Sequence, residues 1–127
     1  MSGAWSRNAS LALQRQVEKT AAYTVVVVTD SGKIFSSSLD GIVFTLPSIA
    51  TGENYGFINI ADDGDAALNI SPAAADGISY AGTSVDDKDL INTKATQVKG
   101  DFSRLASFDG ADHWQVPESI GIWAKEA

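Results

Sequence analysis

Three aspartates around a glycine are the clearest candidate for metal chemistry in this sequence, with Asp62, Asp63 and Asp65 flanking Gly64. Closely spaced carboxylates on a tight turn are the hard oxygen ligands that Ca²⁺ prefers. An EF-hand loop also needs a glutamate at its last position, and none follows at that distance. We therefore interpret residues 62–65 as a solvated turn and predict no metal ligands. A second acidic cluster at residues 86–89 fits a charged loop or a strand edge, since charges prevent edge-to-edge pairing.

His113 is the only histidine, and a hydrolase would use it as the general base beside a nucleophile and an orienting carboxylate. Ser107 and Asp112 are close to it in sequence, but such proximity is poor evidence for a triad. The G-x-S-x-G elbow of many hydrolases is absent, and Gly32-Lys33-Ile34 lacks the other residues of a phosphate-binding loop. We predict no catalytic residue, no cofactor and no enzymatic activity.

Aromatic residues suggest either a platform on which a sugar stacks or the core of a β domain. The set comprises Phe44, Tyr55, Phe57, Phe102, Phe108, Trp114 and Trp123. Aromatics at alternating strand positions more often form a core. We predict that Phe44, Phe57, Leu105 and Trp114 are buried, whereas Trp123 and Tyr80 exposed on a concave surface would favour glycan binding.

The bulk composition excludes several classes of partner. A chain of 127 residues predicts one domain. A formal net charge of −7 argues against nucleic acid and against an anionic membrane surface. The sequence has no cysteine, hence no disulfide or thiolate metal site. It shows neither a signal-peptide core nor an apolar span, so we expect synthesis in the cytoplasm.

The elements that would carry these residues are short strands. From Tyr23 onward, β-branched and alternating runs separated by turn residues predict about ten strands. These include residues 24–29 with four valines, a hairpin partner at 33–36, and residues 42–46, 54–60, 96–98, 102–108 and 114–116. We predict an all-β fold, a compact sandwich or a barrel-like domain of the β-tulip or jelly-roll type.

Residues 1–22 differ from the β-rich domain at 23–127 and are predicted to form an extended N-terminal arm. The arm carries three cations and one anion, against six cations and fifteen anions in the domain. A short helix capped by Ser10 would place Leu13 and Val17 on one face. The arm is either a frayed terminus or a segment that binds a partner. We favour the partner-binding segment, with Trp5, Arg7, Leu11, Arg15 and Lys19 in contact with the partner or with a sister subunit.

Residues 23–124 contain the runs DSGKIF, GIVFTLP and TGENYGFI, and KGDFSRLASFDGADHWQV followed by GIWA. In these runs the chain resembles the small accessory head proteins of tailed bacteriophages, known as decoration or cement proteins. The resemblance makes a capsid the expected partner of the arm. The resemblance implies a β-rich structural protein of the virion that binds the major capsid protein on the outer surface of the viral head. It also implies a homotrimer that bridges capsid subunits and stabilises the particle. The alternatives are an adhesion module of a fibre or spike that binds glycan and, more remotely, a small hydrolase.

Overall fold

The computed structural model describes residues 15–108, 111 and 113–127. Within this part of the chain the regular structure consists of short strands and one 3-10 turn, η1, at Lys94–Thr96. The strands are β1 (Gln16–Glu18), β2 (Tyr23–Thr24), β3 (Ile34–Ser37), β4 (Ile42–Thr45), β5 (Asn54–Asn59), β6 (Leu68–Ser71), β7 (Gly77–Ser79), β8 (Leu90–Asn92), β9 (Phe102–Ala106), β10 (His113–Ile120) and β11 (Ala124–Lys125). None of the described segments forms a helix that could cross a membrane.

The strands form two sheets that pack against each other. The six-stranded sheet has the order β1-β3-β5-β9-β10-β7, and the five-stranded sheet has the order β11-β8-β6-β4-β2. This arrangement confirms the predicted all-β class and selects the sandwich. Burial explains the alternation along β3 and β4, where Phe35, Ile42 and Phe44 point inward and their neighbours point outward.

The first half of the chain winds between the two sheets as successive coils. β1, β3 and β5 pair in parallel in one sheet, and β2, β4 and β6 pair in parallel in the other. Val17, Phe35 and Phe57 consequently occupy matching positions in three neighbouring strands. Eighteen residues separate the first two of these positions and 22 separate the next two. Because the coils differ in length, the sequence shows no regular repeat.

Aromatic rings from both sheets form the centre of the core. Phe35, Phe44 and Phe57 meet with ring centroids 5.2–5.8 Å apart. Tyr55 lies 5.6 Å from Trp114 on the same measure. Offset and tilted pairs at these separations stabilise a core beyond the area that they bury. The predicted burial of Phe44, Phe57, Leu105 and Trp114 is confirmed, since each is 0% exposed.

The predicted strand at residues 24–29 and its hairpin are wrong. Strand β2 ends at Thr24, and residues 27–30 form a turn. Strand β3 does not return beside β2; it lies in the opposite sheet, between β1 and β5. The valines therefore cross from one sheet to the other. Local β propensity is outweighed here by hydrogen bonds from this segment to Asp30 and Glu53, which are described below.

Two further local predictions are also wrong. The described chain has η1 and a loop where a strand at residues 96–98 was expected, because the Gln97 side chain is buried and bonds to the main chain. Its Nε2 donates to the Ala61 carbonyl at 2.9 Å. Val17 lies in strand β1 and packs against the core beside Phe35, so it is not part of the expected short helix. Ser10 and Leu13, the other residues of that prediction, lie outside the described residues. Residues 16–18 of the predicted arm thus form an edge strand of the sandwich.

Candidate functional site

His113 and Ser107, two of the residues considered for a hydrolytic triad, contact different partners. His113 Nε2 lies 3.9 Å from a carboxylate oxygen of Asp86. Ser107 is buried; its hydroxyl accepts a bond from the Glu53 amide and donates to the Ala50 carbonyl. Asp112 lies outside the described residues. The geometry gives the Ser107 hydroxyl a structural role, since it ties the loop before β5 to the end of β9.

The two acidic clusters are a turn and a loop. In the first, the Asp65 amide donates to the Asp62 carbonyl at 3.0 Å, and Asp63 accepts a bond from the Lys99 amide at 2.9 Å. In the second, the backbone of Asp86 forms an isolated antiparallel β-bridge with Gly77 in the edge strand β7. Among the described residues, no group of three or more histidines, aspartates or glutamates is placed to hold a metal ion.

The concave aromatic face expected of a glycan-binding module is not formed by Trp123 and Tyr80. Trp123 is only 6% exposed, and its indole N–H donates to the Ile120 carbonyl at 3.1 Å. Tyr80 is half-buried against the core. Of the other aromatic residues, Phe108 is exposed and Phe102 lies on the outer face of the six-stranded sheet.

The outer face of the six-stranded sheet carries an apolar groove of about 300 Å³. Its lining consists of Gln16, Ile34, Ser36, Ile58, Ile60 and Phe102. We call it the outer groove. The Phe102 ring lies over Gly56, where an added Cβ would stand 2.9 Å from it. The absence of a side chain at Gly56 leaves room for this ring, which lines the groove.

Sequence reasoning missed this groove, although a signal is present. Along β5, Tyr55 and Phe57 point inward, while Ile58 and the following Ile60 point outward. The outward face of the strand is therefore apolar near its end, whereas a strand whose outer face is solvated carries polar residues on that face. A contiguous apolar patch on the outer face of a sheet is a candidate surface for contact with another molecule.

The second unusual surface is the loop at residues 25–31, which we call the valine loop. Val25 is buried, but Val26 is 47% exposed and Val28 is 77% exposed. Val28 has φ of +70°, a left-handed conformation that is a genuine outlier for a β-branched residue. Strained backbone of this kind persists only where its surroundings hold it, and it clusters at functional sites.

Two buried carboxylates hold the valine loop in place. Asp30 accepts bonds from the Tyr23 hydroxyl at 2.6 Å, the Val26 amide at 2.8 Å and Lys33 Nζ at 2.9 Å. Burial raises the pKa of Asp30, but these three hydrogen bonds outweigh it and leave the pKa below its usual value. The bond to Asp30 in turn raises the pKa of Tyr23 to about 12.

Glu53 supports the loop from the other side. Its carboxylate accepts bonds from the Tyr55 hydroxyl at 2.5 Å and from Ser31 Oγ at 2.7 Å, with a longer contact of 3.4 Å from the Val28 amide. Burial raises the pKa of Glu53, and these donors together lower it below the ordinary value. The two carboxylates thus fix a loop that presents apolar side chains to solvent.

The proposed contact residues of the arm are described in part. Trp5, Arg7 and Leu11 lie outside the described residues. Arg15 is exposed, and its carbonyl accepts a bond from the Ile34 amide at 2.6 Å. Lys19 Nζ stands 3.7 Å above the Tyr23 ring centroid, so this cation is partly engaged within the domain.

Comparison with known proteins adds no family: no protein-family model matches the chain, and no curated protein matches it.

Proposed function

We propose that this protein is a structural decoration, or cement, protein of a tailed-bacteriophage head. It would be made in the host cytoplasm and bind the major capsid protein on the outer surface of the capsid as a homotrimer. The observation that carries the proposal is the outer groove. A fold that leaves Ile34, Ile58, Ile60 and Phe102 partly uncovered on one sheet fits a protein that works by contact with other protein surfaces.

The sequence resemblance and the charge distribution agree with this role. A compact β domain is the fold that the resemblance implies, and a net charge of −7 keeps such a module soluble before it attaches. The arm adds cations at Arg7, Arg15 and Lys19 to an otherwise acidic chain. Anchoring residues with complementary charge are what a partner-binding segment needs.

The decisive experiment compares particles with and without the protein. Binding in hundreds of copies per head, together with greater resistance of the head to heat, is the expected result. A few copies at a vertex or on the tail would favour the adhesion module that binds glycan. No association with particles would refute the proposal.

The role of the arm is tested by deletion of residues 1–14, which leaves strand β1 intact. The domain should keep its thermal melting while its attachment to particles weakens, because Trp5, Arg7 and Leu11 are removed. The deletion of residues 1–20 serves as the comparison. It removes the same arm residues and also β1, which leaves one edge of β3 unpaired. Full attachment by the protein lacking residues 1–14 would exclude the anchoring role.

A further inference from the structure

Strand β2 leaves one edge of the five-stranded sheet open. It is the last strand of that sheet, and among the described residues only β4 pairs with it. Tyr23 is in register with the buried Phe44 and packs against the core, yet it is only half-buried because no described strand lies beyond it. Val17, in the edge strand of the opposite sheet, is half-buried in the same way. An unpaired strand edge beside a partly uncovered core is a site to which a further strand can add.

The spacing of the coils indicates which residues would stand beside β2. Tyr23 precedes Ile34 by 11 residues, and the corresponding residues of the next coil are 12 apart. Gln16 occupies the position of Ile34 one coil earlier, because the two are in register. The residue 11 places before Gln16 is Trp5. Trp5 therefore has the spacing of a residue in register with Tyr23, one coil earlier.

The length of the connecting segment agrees with this position. Nine residues, 25–33, join β2 to β3, and eight join β4 to β5. Nine residues, 7–15, separate Ser6 from the first residue of β1. The N-terminal segment is therefore long enough to reach β2 of its own chain by the route that the described coils take.

The first described residue already follows this route. The Arg15 carbonyl accepts a bond from the Ile34 amide at 2.6 Å, which extends the pairing of β1 with β3 by one residue. The Arg15 side chain lies over Gly32, where an added Cβ would meet its guanidinium. Gly32 belongs to the connection between β2 and β3, so the chain before β1 lies beside the matching connection of the next coil.

The same course would cover the valine loop. Val26 is 47% exposed and Val28 is 77% exposed. A segment that continues from Arg15 toward β2 would pass beside both of them. It carries Leu11 and Leu13, whose apolar side chains match the exposed valines in chemistry.

We propose that residues 4–6 pair with the open edge of β2 in the same chain, with Trp5 packed against Tyr23 over the end of the core. The occupant is the protein's own N-terminal segment, because its length and spacing reproduce those of the described coils. The inference goes beyond the proposed function, since it concerns the free protein; a capsid or sister subunit that takes the arm has to displace it from β2. Terminal strands open locally at little cost in free energy, so global melting does not measure this contact.

Cysteine pairs test the contact directly, because the chain has no cysteine of its own. Ser6→Cys combined with Thr24→Cys joins two positions that face each other when Trp5 is in register with Tyr23. Adjacent strands lie about 4.8 Å apart, within the roughly 4.4–6.8 Å between Cα atoms that a disulfide spans. Thr24 is exposed, so its replacement leaves the core unchanged.

Two control pairs separate a docked segment from a merely tethered one. Ser6→Cys with Thr45→Cys controls for distance, because Thr45 lies one strand further from the edge than Thr24. Asn8→Cys with Thr24→Cys controls for register, because it is displaced by two residues along the strand. Trp5→Ser, added to the first pair, tests whether the indole holds the segment in place. Thermal melting of the reduced proteins confirms that each variant is folded.

The rate and the connectivity of disulfide formation are followed by mass spectrometry in a glutathione buffer. The first pair should close within single molecules at least about tenfold faster than either control pair, because docking raises the effective concentration of one thiol at the other. Trp5→Ser should slow this closure by a similar factor. Equal rates for the three pairs, a rate that Trp5→Ser leaves unchanged, or a disulfide that joins two molecules would each overturn the contact. All of these results are read without particles, so they are distinct from a failure to bind the capsid.

Discussion

Trp114 offers a test of how the core is built, because its indole is completely buried and its N–H finds no partner in the part of the chain that the structure describes. The side chain is 0% exposed and packs against Tyr55. Within the described residues, its Nε1 has no hydrogen-bond partner. A buried donor without a partner costs about 1–3 kcal/mol. Two substitutions at this position should therefore differ sharply.

Trp114→Ala removes the whole ring system and leaves a cavity between the sheets. Substitutions of this size cost about 3–5 kcal/mol, a large part of the roughly 5–15 kcal/mol that stabilises a typical domain. Trp114→Phe loses two ring carbons, worth about 0.8 kcal/mol each, and creates a small cavity. It also removes the unpaired N–H. These terms nearly offset one another, so we expect the free energy of unfolding to stay within about 1 kcal/mol of the wild type.

Urea denaturation followed by far-ultraviolet circular dichroism measures both differences. A phenylalanine variant as unstable as the alanine variant would refute the account of the indole N–H. An alanine variant that folds with nearly wild-type stability would show that Trp114 is not a core residue. If that variant also lost a ligand, Trp114 would instead be a binding residue.

Acid should destabilise the fold, because the folded-state pKa values of Asp30 and Glu53 lie below their ordinary values. Their contribution is present above the unfolded pKa of about 4 and is lost as the pH falls through the folded pKa. The melting temperature should drop between about pH 4 and pH 2, and a flat profile would contradict this. Gly121→Ala should lower the free energy of unfolding by more than about 1 kcal/mol, since φ is +93° and the new Cβ would meet the buried Asp101 carboxylate. Chemical denaturation measures this change, and a neutral result would show that the carboxylate moves aside. Saturating Ca²⁺ should leave the melting temperature unchanged if residues 62–65 form only a turn. Bound ion at a hundredfold excess would add about 2.7 kcal/mol, so a rise reversed by chelator would restore the metal hypothesis.

Local chemistry determined much of this fold. Alternating apolar residues and turn signals predicted most of the strands, with bounds close to those observed at β3, β4 and β5. The burial of Phe44 and Trp114 followed from the same alternation. These features are local, because a strand with one buried face must place its large apolar residues at every second position.

Pairing between distant segments decided the rest. Nothing in the four valines indicates that Glu53, 25 residues beyond Val28, accepts a bond from the Val28 amide, or that Val28 adopts a left-handed conformation. Likewise, the outer groove joins Gln16 in β1 to Phe102 in β9 across two other strands. The sequence by itself determined which residues favour strands and which face each strand buries. The tertiary structure decided which sheet each strand joins and which apolar side chains remain uncovered, because these depend on strand neighbours that local periodicity does not encode.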